Sequence, residues 1–128
     1  MPGHGFSKGK PLNSIKENAN WIYELLIELE VQELVIVGHS QGCLVGLELN
    51  RLYPEFLKGI IFVAGSNEIP VNQFLLDLSK EDPQKASNMM VTWGHGIDGD
   101  MSTNNWPGHS HYGEGNNIMK MNSADALE

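Results

Sequence analysis

The 128-residue sequence has little cysteine, few basic residues and no long hydrophobic run. Its single cysteine, Cys43, excludes an internal disulfide and fits a reducing compartment. Eight Lys and Arg against sixteen Asp and Glu give a formal net charge of −8, which argues against nucleic acid or an anionic membrane as partner, since both bind basic surfaces. No signal-peptide pattern opens the sequence, and no apolar run is long enough to cross a bilayer. We therefore expect a cytoplasmic protein no larger than a single domain.

The most informative stretch joins an apolar run to a helical pattern through G-x-S-x-G. Residues 34–37 read Leu-Val-Ile-Val, a run typical of a strand buried on both faces. Residues 38–42 read Gly-His-Ser-Gln-Gly, and leucines recur after them at helical intervals. This order predicts a nucleophile elbow, a sharp strand-to-helix turn on which the Ser40 hydroxyl is exposed. The alternative is a tight turn with no chemical role.

The flanking segments predict one βαβ unit. A helix is expected to begin at Ser14, where Ser14 and Glu17 have the spacing of a capping box. A strand over 31–37 leads into the elbow, and the elbow helix over 42–53 ends before Pro54. A second apolar run, 60–64, predicts another strand. A strand, a helix and a strand in this order should place the two strands side by side and parallel.

The sequence pattern changes after residue 65, from continuous apolar runs to shorter helical patterns. Apolar residues between 71 and 78 predict a short amphipathic helix, and Asp82-Pro83 predicts the start of a second one. Its expected apolar stripe is Ala86, Met89, Met90 and Trp93. Residues 94–117 are rich in Gly, Asn, Ser and His without periodicity, and we expect an irregular loop there. The ending, 122–128, has the composition of the first turn of a further helix.

Three segments resemble the α/β-hydrolase family. Residues 2–7, Pro-Gly-His-Gly-Phe-Ser, are similar to a loop that follows a core strand in that family, 38–42 matches its elbow, and 59–65 is similar to its next strand. The resemblance implies an α/β fold, a partial α/β-hydrolase fold with a parallel βαβ core. It further implies a core segment over 1–65 that contains the nucleophile elbow and a helical, cap-like segment over 66–128.

The same resemblance implies a serine hydrolase acting on a small ester-like or related carbonyl substrate. Ser40 would be the nucleophile of an acyl-enzyme, and the backbone N–H of Gln41 would bind the oxyanion. The family places its acid and histidine after two later strands, and no run after residue 64 suits either, so we expect both outside this chain. We expect neither a metal nor an organic cofactor. Thioester, amide and carbon–carbon bond cleavage stay open, and so does an inactive or purely binding use of a truncated hydrolase scaffold.

Several histidines and acids offer alternatives. His39 is expected to pack or hydrogen-bond beside the strand. By the family resemblance, His4 is structural or near the site and is not the base. The later part of the chain contains His95, Asp98, Asp100, His109 and His111. Asp98 or Asp100 followed by His109 or His111 offers a compact triad, and His109 and His111 with an Asp nearby offer a metal site, both as less favoured hypotheses.

A chain with two strands leaves apolar surface uncovered. We therefore expect a piece of a larger hydrolase that is unstable by itself or associates through exposed apolar surface. Cys43 is expected to be buried and unreactive. Four further bulky residues are expected to pack in the core, and the alternative is that they line a substrate pocket: Met89, Met90, Trp93 and Trp106.

Overall fold

A computed structural model describes residues 1–95, 111–122 and 126. The chain divides into two compact units. The elbow unit comprises Leu12–Pro70, and the helical unit comprises Met1–Pro11 with Val71–Glu128. The division into 1–65 and 66–128 remains a prediction about domains. Within the described residues, no helix has the length and apolar character needed to span a membrane.

The elbow unit contains the predicted βαβ arrangement. Helix α1 spans Ile15–Glu28, strand β1 Leu34–His39, helix α2 Gln41–Leu52 and strand β2 Leu57–Val63. The two strands are parallel neighbours, and His39 lies opposite Val63 at their carboxyl ends. The prediction of parallel pairing is confirmed. Compared with the predicted bounds, β1 begins later and β2 earlier.

Helix α1 begins as its sequence predicts. The Ser14 hydroxyl accepts a hydrogen bond of 3.1 Å from the Glu17 amide, and the Glu17 carboxylate accepts one of 2.7 Å from the Asn13 amide. The helix ends with Glu30 in the left-handed region at φ 54°. There the amides of Glu30 and Val31 donate to carbonyl groups of the last helical turn. This is the termination for which glycine is usually selected.

The core of the elbow unit lies between α1 and α2. Ala19 and Leu49 are completely buried, and Val45 nearly so. Tyr23 and Tyr53 stack with ring centroids 3.6 Å apart beside this cluster. Apolar burial of this kind is the main favourable term in folding. The α1–α2 contact therefore anchors the helix that begins at the elbow.

Only one face of the two-stranded sheet is covered by described residues. Ile36 and Ile60 approach Gly46 of α2 so closely that a Cβ there would lie 3.0 and 3.4 Å from their Cγ2 atoms. The opposite face, which we call the open face, carries Val35, Val37, Ile61 and Val63, each at least 43% exposed. The sequence of β1 is typical of a strand buried on both faces, and in the described chain one face is uncovered, which agrees with the expectation that two strands leave apolar surface exposed. A run of apolar residues predicts a strand but does not say which segment covers it.

The helical unit contains three helices. They are α3 (Gln73–Glu81), α4 (Pro83–His95) and α5 (His111–Lys120). The Asn72 side chain caps α3, and Asp82 ends α3 while its carboxylate accepts from the Lys85 amide at 3.0 Å. The predicted start of α4 at Asp82-Pro83 is confirmed. The buried residues of α4 are Ala86, Ser87 and Val91.

Two expectations about the helical unit are wrong. Helix α5 occupies part of the stretch that is predicted to be an irregular loop. Gly115 weakens the helical pattern of this stretch in the sequence, but in the structure it allows close packing. A Cβ on Gly115 would lie 3.0 Å from Val91 Cγ1 on α4, so a larger residue would hold the two helices apart. Met90 and Trp93 are exposed, so core packing does not describe them. Trp106 and most of the predicted terminal turn lie outside the described residues.

Candidate active site

Ser40 occupies the corner between β1 and α2, and its backbone is strained. Its φ of 51° and ψ of −120° resemble the first central position of a type II′ turn, where glycine dominates. A residue with a Cβ in such a sparsely populated region costs roughly 1–3 kcal/mol and persists only where its surroundings impose it. Ser40 is exposed at the end of β1.

The Ser40 side chain takes no part in capping the helix that it precedes. Ser14 and Asn72 precede α1 and α3, and each accepts a hydrogen bond from a backbone amide of its helix. Ser40 holds the same position before α2 and makes no such bond. A capping hydroxyl usually stabilises a helix by about 1 kcal/mol. The elbow conformation therefore forgoes this stabilisation and leaves the hydroxyl exposed.

Backbone hydrogen bonds on both sides hold the corner. The Ser40 amide donates to the Val63 carbonyl at the end of β2, at 2.9 Å. The Ser40 carbonyl accepts from the Cys43 amide at 3.0 Å. The corner is thus attached to the neighbouring strand by one peptide group and to the first turn of α2 by the next.

The two glycines of the motif differ in their surroundings. A Cβ on Gly38 would lie 2.6 Å from the carbonyl carbon and oxygen of Gly42 and 2.7 Å from the Cys43 nitrogen, all backbone atoms. A Cβ on Gly42 would have nothing within 4 Å. Only the first glycine is therefore needed for close backbone approach.

Gln41 is the first residue of α2. The first amides of a helix have no acceptor within it, and they carry the positive end of the helix dipole. A donor of this type, next to an exposed hydroxyl, has the chemistry that an oxyanion requires. The assignment of Gln41 to this role remains a prediction.

Cys43 lies beneath the corner and is completely buried, as expected. Its thiol donates a hydrogen bond of 3.1 Å to the Gly38 carbonyl. This bond spans the elbow from the first turn of α2 back to the end of β1.

The other sequence candidates do not gather at Ser40 within the described chain. His39 is exposed and follows Val37 along the open face, so the expected packing beside the strand is not found. His4 makes a local contact, with Nδ1 2.9 Å from the Pro2 carbonyl oxygen, and the Nδ1 of His95 lies 2.8 Å from the Val91 carbonyl oxygen. Among described residues, no group of three or more His, Cys, Asp and Glu could hold a metal ion. The proposed triad and metal set fall largely outside those residues, at Asp98, Asp100, His109 and the side chain of His111.

A cleft in the elbow unit lies away from Ser40. It is formed at the amino ends of the strands by Ile27, Glu30, Val31, Gln32, Glu55 and Phe56. Because Ser40 is at the carboxyl end of β1, this cleft does not contain the candidate nucleophile.

Sequence reasoning missed the turn that follows β2. Ala64 has a positive φ of 46°, and a Cβ on Gly65 would lie 2.9 Å from the Ser40 carbonyl oxygen. The only signal was a glycine after an apolar run, which also describes an ordinary strand end.

Comparison with known proteins connects this geometry to a family. A family model described as the alpha/beta hydrolase fold matches residues 1–92. Two relatives, provisionally named esterase/lipase 2, come from Mycoplasma genitalium and Mycoplasma pneumoniae and are 26% and 27% identical over 83 residues. Each alignment covers 63% of this chain and 29% of the relative, so the matched part is under a third of the relatives' length.

Solved structures show the same fold. An N-acyl homoserine lactone degrading enzyme superposes with a TM-score of 0.70 at 20% identity, over 98% of this chain and 48% of that enzyme. A structure from work on carboxylesterases of the thaumarchaeon Nitrososphaera gargenis superposes with a TM-score of 0.69 at 14% identity, over 99% and 48% of the two chains. The chain thus spans about half the length of these structures.

Proposed function

Because the chain belongs to the alpha/beta hydrolase fold family, we propose that it carries the nucleophile of a serine hydrolase that acts on small esters or related carbonyl compounds. The esterase and lipase names of the mycoplasma relatives support this substrate class. The chain aligns with only part of each relative, so the activity proposed here is that of the whole protein.

The proposed reaction proceeds through an acyl-enzyme. A base removes the Ser40 proton as Oγ attacks the carbonyl carbon, and the resulting oxyanion accepts a hydrogen bond from the Gln41 N–H. The protonated base gives its proton to the leaving group as the tetrahedral intermediate collapses. Water, deprotonated by the same base, then hydrolyses the Ser40 ester, and the base returns the proton to Ser40 Oγ. We assign the histidine base and its orienting acid to segments outside residues 1–128. This scheme needs neither a metal nor an organic cofactor.

The observation that carries the proposal is the backbone of Ser40. A serine at the start of a helix is stabilising when it caps, as Ser14 does. Ser40 instead adopts a strained conformation, makes no cap and remains exposed. Strain retained at an exposed hydroxyl, beside the amino end of a helix, supports a chemical role more than a structural one.

We also propose a cytoplasmic location.

For the chain by itself, we propose association through the open face of the sheet. The exposed side chains of Val35, Val37, Ile61 and Val63 form one apolar surface on two adjacent strands. Contiguous exposed apolar surface is a typical association site.

The proposal is tested by ester hydrolysis. Because the base is assigned elsewhere, hydrolysis of a short-chain p-nitrophenyl ester by the 128-residue chain is measured with and without added imidazole, which replaces a missing histidine. We expect imidazole-dependent turnover above the rate with imidazole alone, lost in Ser40→Ala. Turnover unchanged by that substitution contradicts the nucleophile, and a folded chain that adds nothing to the rate with imidazole alone favours the non-catalytic scaffold.

A further inference from the structure

The turn after β2 packs against the elbow from the neighbouring strand. A Cβ built on Gly65 would overlap Cys43 Sγ and would lie 2.9 Å from the Ser40 carbonyl oxygen and 3.2 Å from Cys43 Cβ. Contacts this short force a shift, and one of the partners is backbone. No residue other than glycine therefore fits at position 65 with the elbow in its present form.

This contact is continuous with the hydrogen bonds that hold Ser40. The Val63 carbonyl, two residues before Gly65, accepts from the Ser40 amide at 2.9 Å. The Cys43 thiol, which Gly65 touches, donates to the Gly38 carbonyl at 3.1 Å. Ala64 between them has a φ of 46°, which turns the chain toward the elbow at the cost of strain.

The Ser40 carbonyl shares a peptide plane with the Gln41 N–H. In a planar trans peptide the C=O and N–H bonds point in opposite directions. The Cys43 amide binds this carbonyl oxygen, and Gly65 packs beside it. Fixing the oxygen therefore fixes the direction of the Gln41 N–H.

We propose that Gly65 is a positioning residue for Ser40 and the Gln41 amide. Because Gly65 has no side chain, the turn after β2 can pack against the Ser40 carbonyl. This packing holds the Ser40 backbone in its strained conformation and fixes the direction of the Gln41 N–H bond. The catalytic meaning of this role rests on the proposed function. The packing role does not, because it concerns the backbone at 40–41 whether or not the serine reacts.

The first test is spectroscopic and needs no activity. In isotope-labelled protein, the three-bond HN–Hα coupling and carbon shifts of Ser40 report its φ, and the amide signal of Gln41 reports its environment. We expect Gly65→Ala to shift both sets of signals. The matched control is Gly59→Ala on β2, the strand that precedes this turn, and its added Cβ would meet only Val35 Cγ1 at 4.0 Å. We expect it to leave Ser40 and Gln41 unchanged.

A rescue variant separates local crowding from a general loss of structure. Cys43→Ala removes the sulfur that the new methyl overlaps most closely, so Cys43→Ala/Gly65→Ala should return the Ser40 and Gln41 signals part of the way. If Gly65→Ala does not fold, the Ser40 and Gln41 signals of the double variant are compared with those of Cys43→Ala. The methyl group added at position 65 in the double variant would still lie 2.9 Å from the Ser40 carbonyl oxygen. Unchanged Ser40 and Gln41 signals in the folded Gly65 variant overturn the proposal.

The second test uses the rate at which a fluorophosphonate labels Ser40 in the presence of imidazole. Complete removal of an oxyanion donor costs about 10²–10³ in rate, so a misdirected donor in Gly65→Ala should slow labelling at least about tenfold, with little change in Gly59→Ala. Equal labelling rates in wild type and Gly65→Ala contradict the positioning role and leave the proposed function intact. An unlabelled wild type whose NMR signals still respond to Gly65→Ala contradicts the proposed function and leaves the packing role intact.

Discussion

The Ser40 amide and the Val63 carbonyl are joined by a hydrogen bond of 2.9 Å that crosses from the elbow to the end of β2. It continues the pairing of the strands by one residue beyond His39. The corner that carries the candidate nucleophile is therefore part of the sheet, although its next residue begins a helix. Rigid elements hold functional groups more accurately than loops do, and here two such elements meet at one residue.

The two motif glycines should respond differently to alanine. Gly38→Ala places a methyl 2.6 Å from Gly42 backbone atoms, which cannot rotate away, so we expect a loss of about 1–3 kcal/mol in the free energy of unfolding. Gly42→Ala meets nothing within 4 Å and removes glycine from a helix, so stability should be unchanged or rise by up to about 1 kcal/mol. Urea titration of both variants gives the comparison, and equal losses would show that this packing is wrong.

Replacing Glu30 by glycine should stabilise the elbow unit. Glu30 has a φ of 54° at the end of α1, a conformation that costs a residue with a Cβ about 1 kcal/mol more than glycine. Glu30→Gly should therefore raise the free energy of unfolding by up to about 1 kcal/mol. Glu24→Gly, an exposed position inside α1, serves as the control and should lower it by about 1 kcal/mol. A loss in both variants would contradict the left-handed termination.

The Glu48–Arg51 pair on α2 should make a pH-dependent contribution to stability. Two hydrogen bonds of 2.7 Å from the Arg51 guanidinium lower the pKa of Glu48. Because the folded pKa is the lower one, the contribution is present above the pKa of the unfolded chain and is lost as the pH falls through the folded pKa. Glu48→Gln should be less stable than wild type near neutral pH, and the difference in urea midpoint should vanish in strong acid. A difference that persists there would exclude the ion pair as its cause.

The chain by itself should associate through the open face. Val37 is 62% exposed and Ile61, opposite it in the sheet, is 53% exposed. Sedimentation velocity should show concentration-dependent association that Val37→Thr and Ile61→Thr reduce, while secondary structure is kept. Val71→Thr, at an exposed apolar position of the helical unit, is the control and should leave association unchanged. Association insensitive to the sheet variants would assign it to another surface.

The elbow could be predicted from the sequence because its signals are local. The apolar run, the G-x-S-x-G pattern and the leucines at helical spacing all lie within about twenty residues. The support from Val63 and Gly65 could not be predicted, because it depends on strand register, which no local pattern specifies. Helix α5 was missed because Gly115 reads as a loop signal, whereas in the structure it permits close approach to Val91. Uncovered apolar surface could be predicted from the small number of strands, but the side chains that form the open face could not, because they depend on which face α2 covers.

The most direct test of the account is the site of covalent labelling by a fluorophosphonate. The folded 128-residue chain is treated with the probe over a series of imidazole concentrations, and the modified serine is located by peptide mass spectrometry. We predict one adduct at Ser40, formed faster as imidazole rises and absent from Ser40→Ala. A folded chain in which Ser40 stays unmodified at every imidazole concentration, or in which the label is spread over exposed serines with no preference for Ser40, would contradict the account.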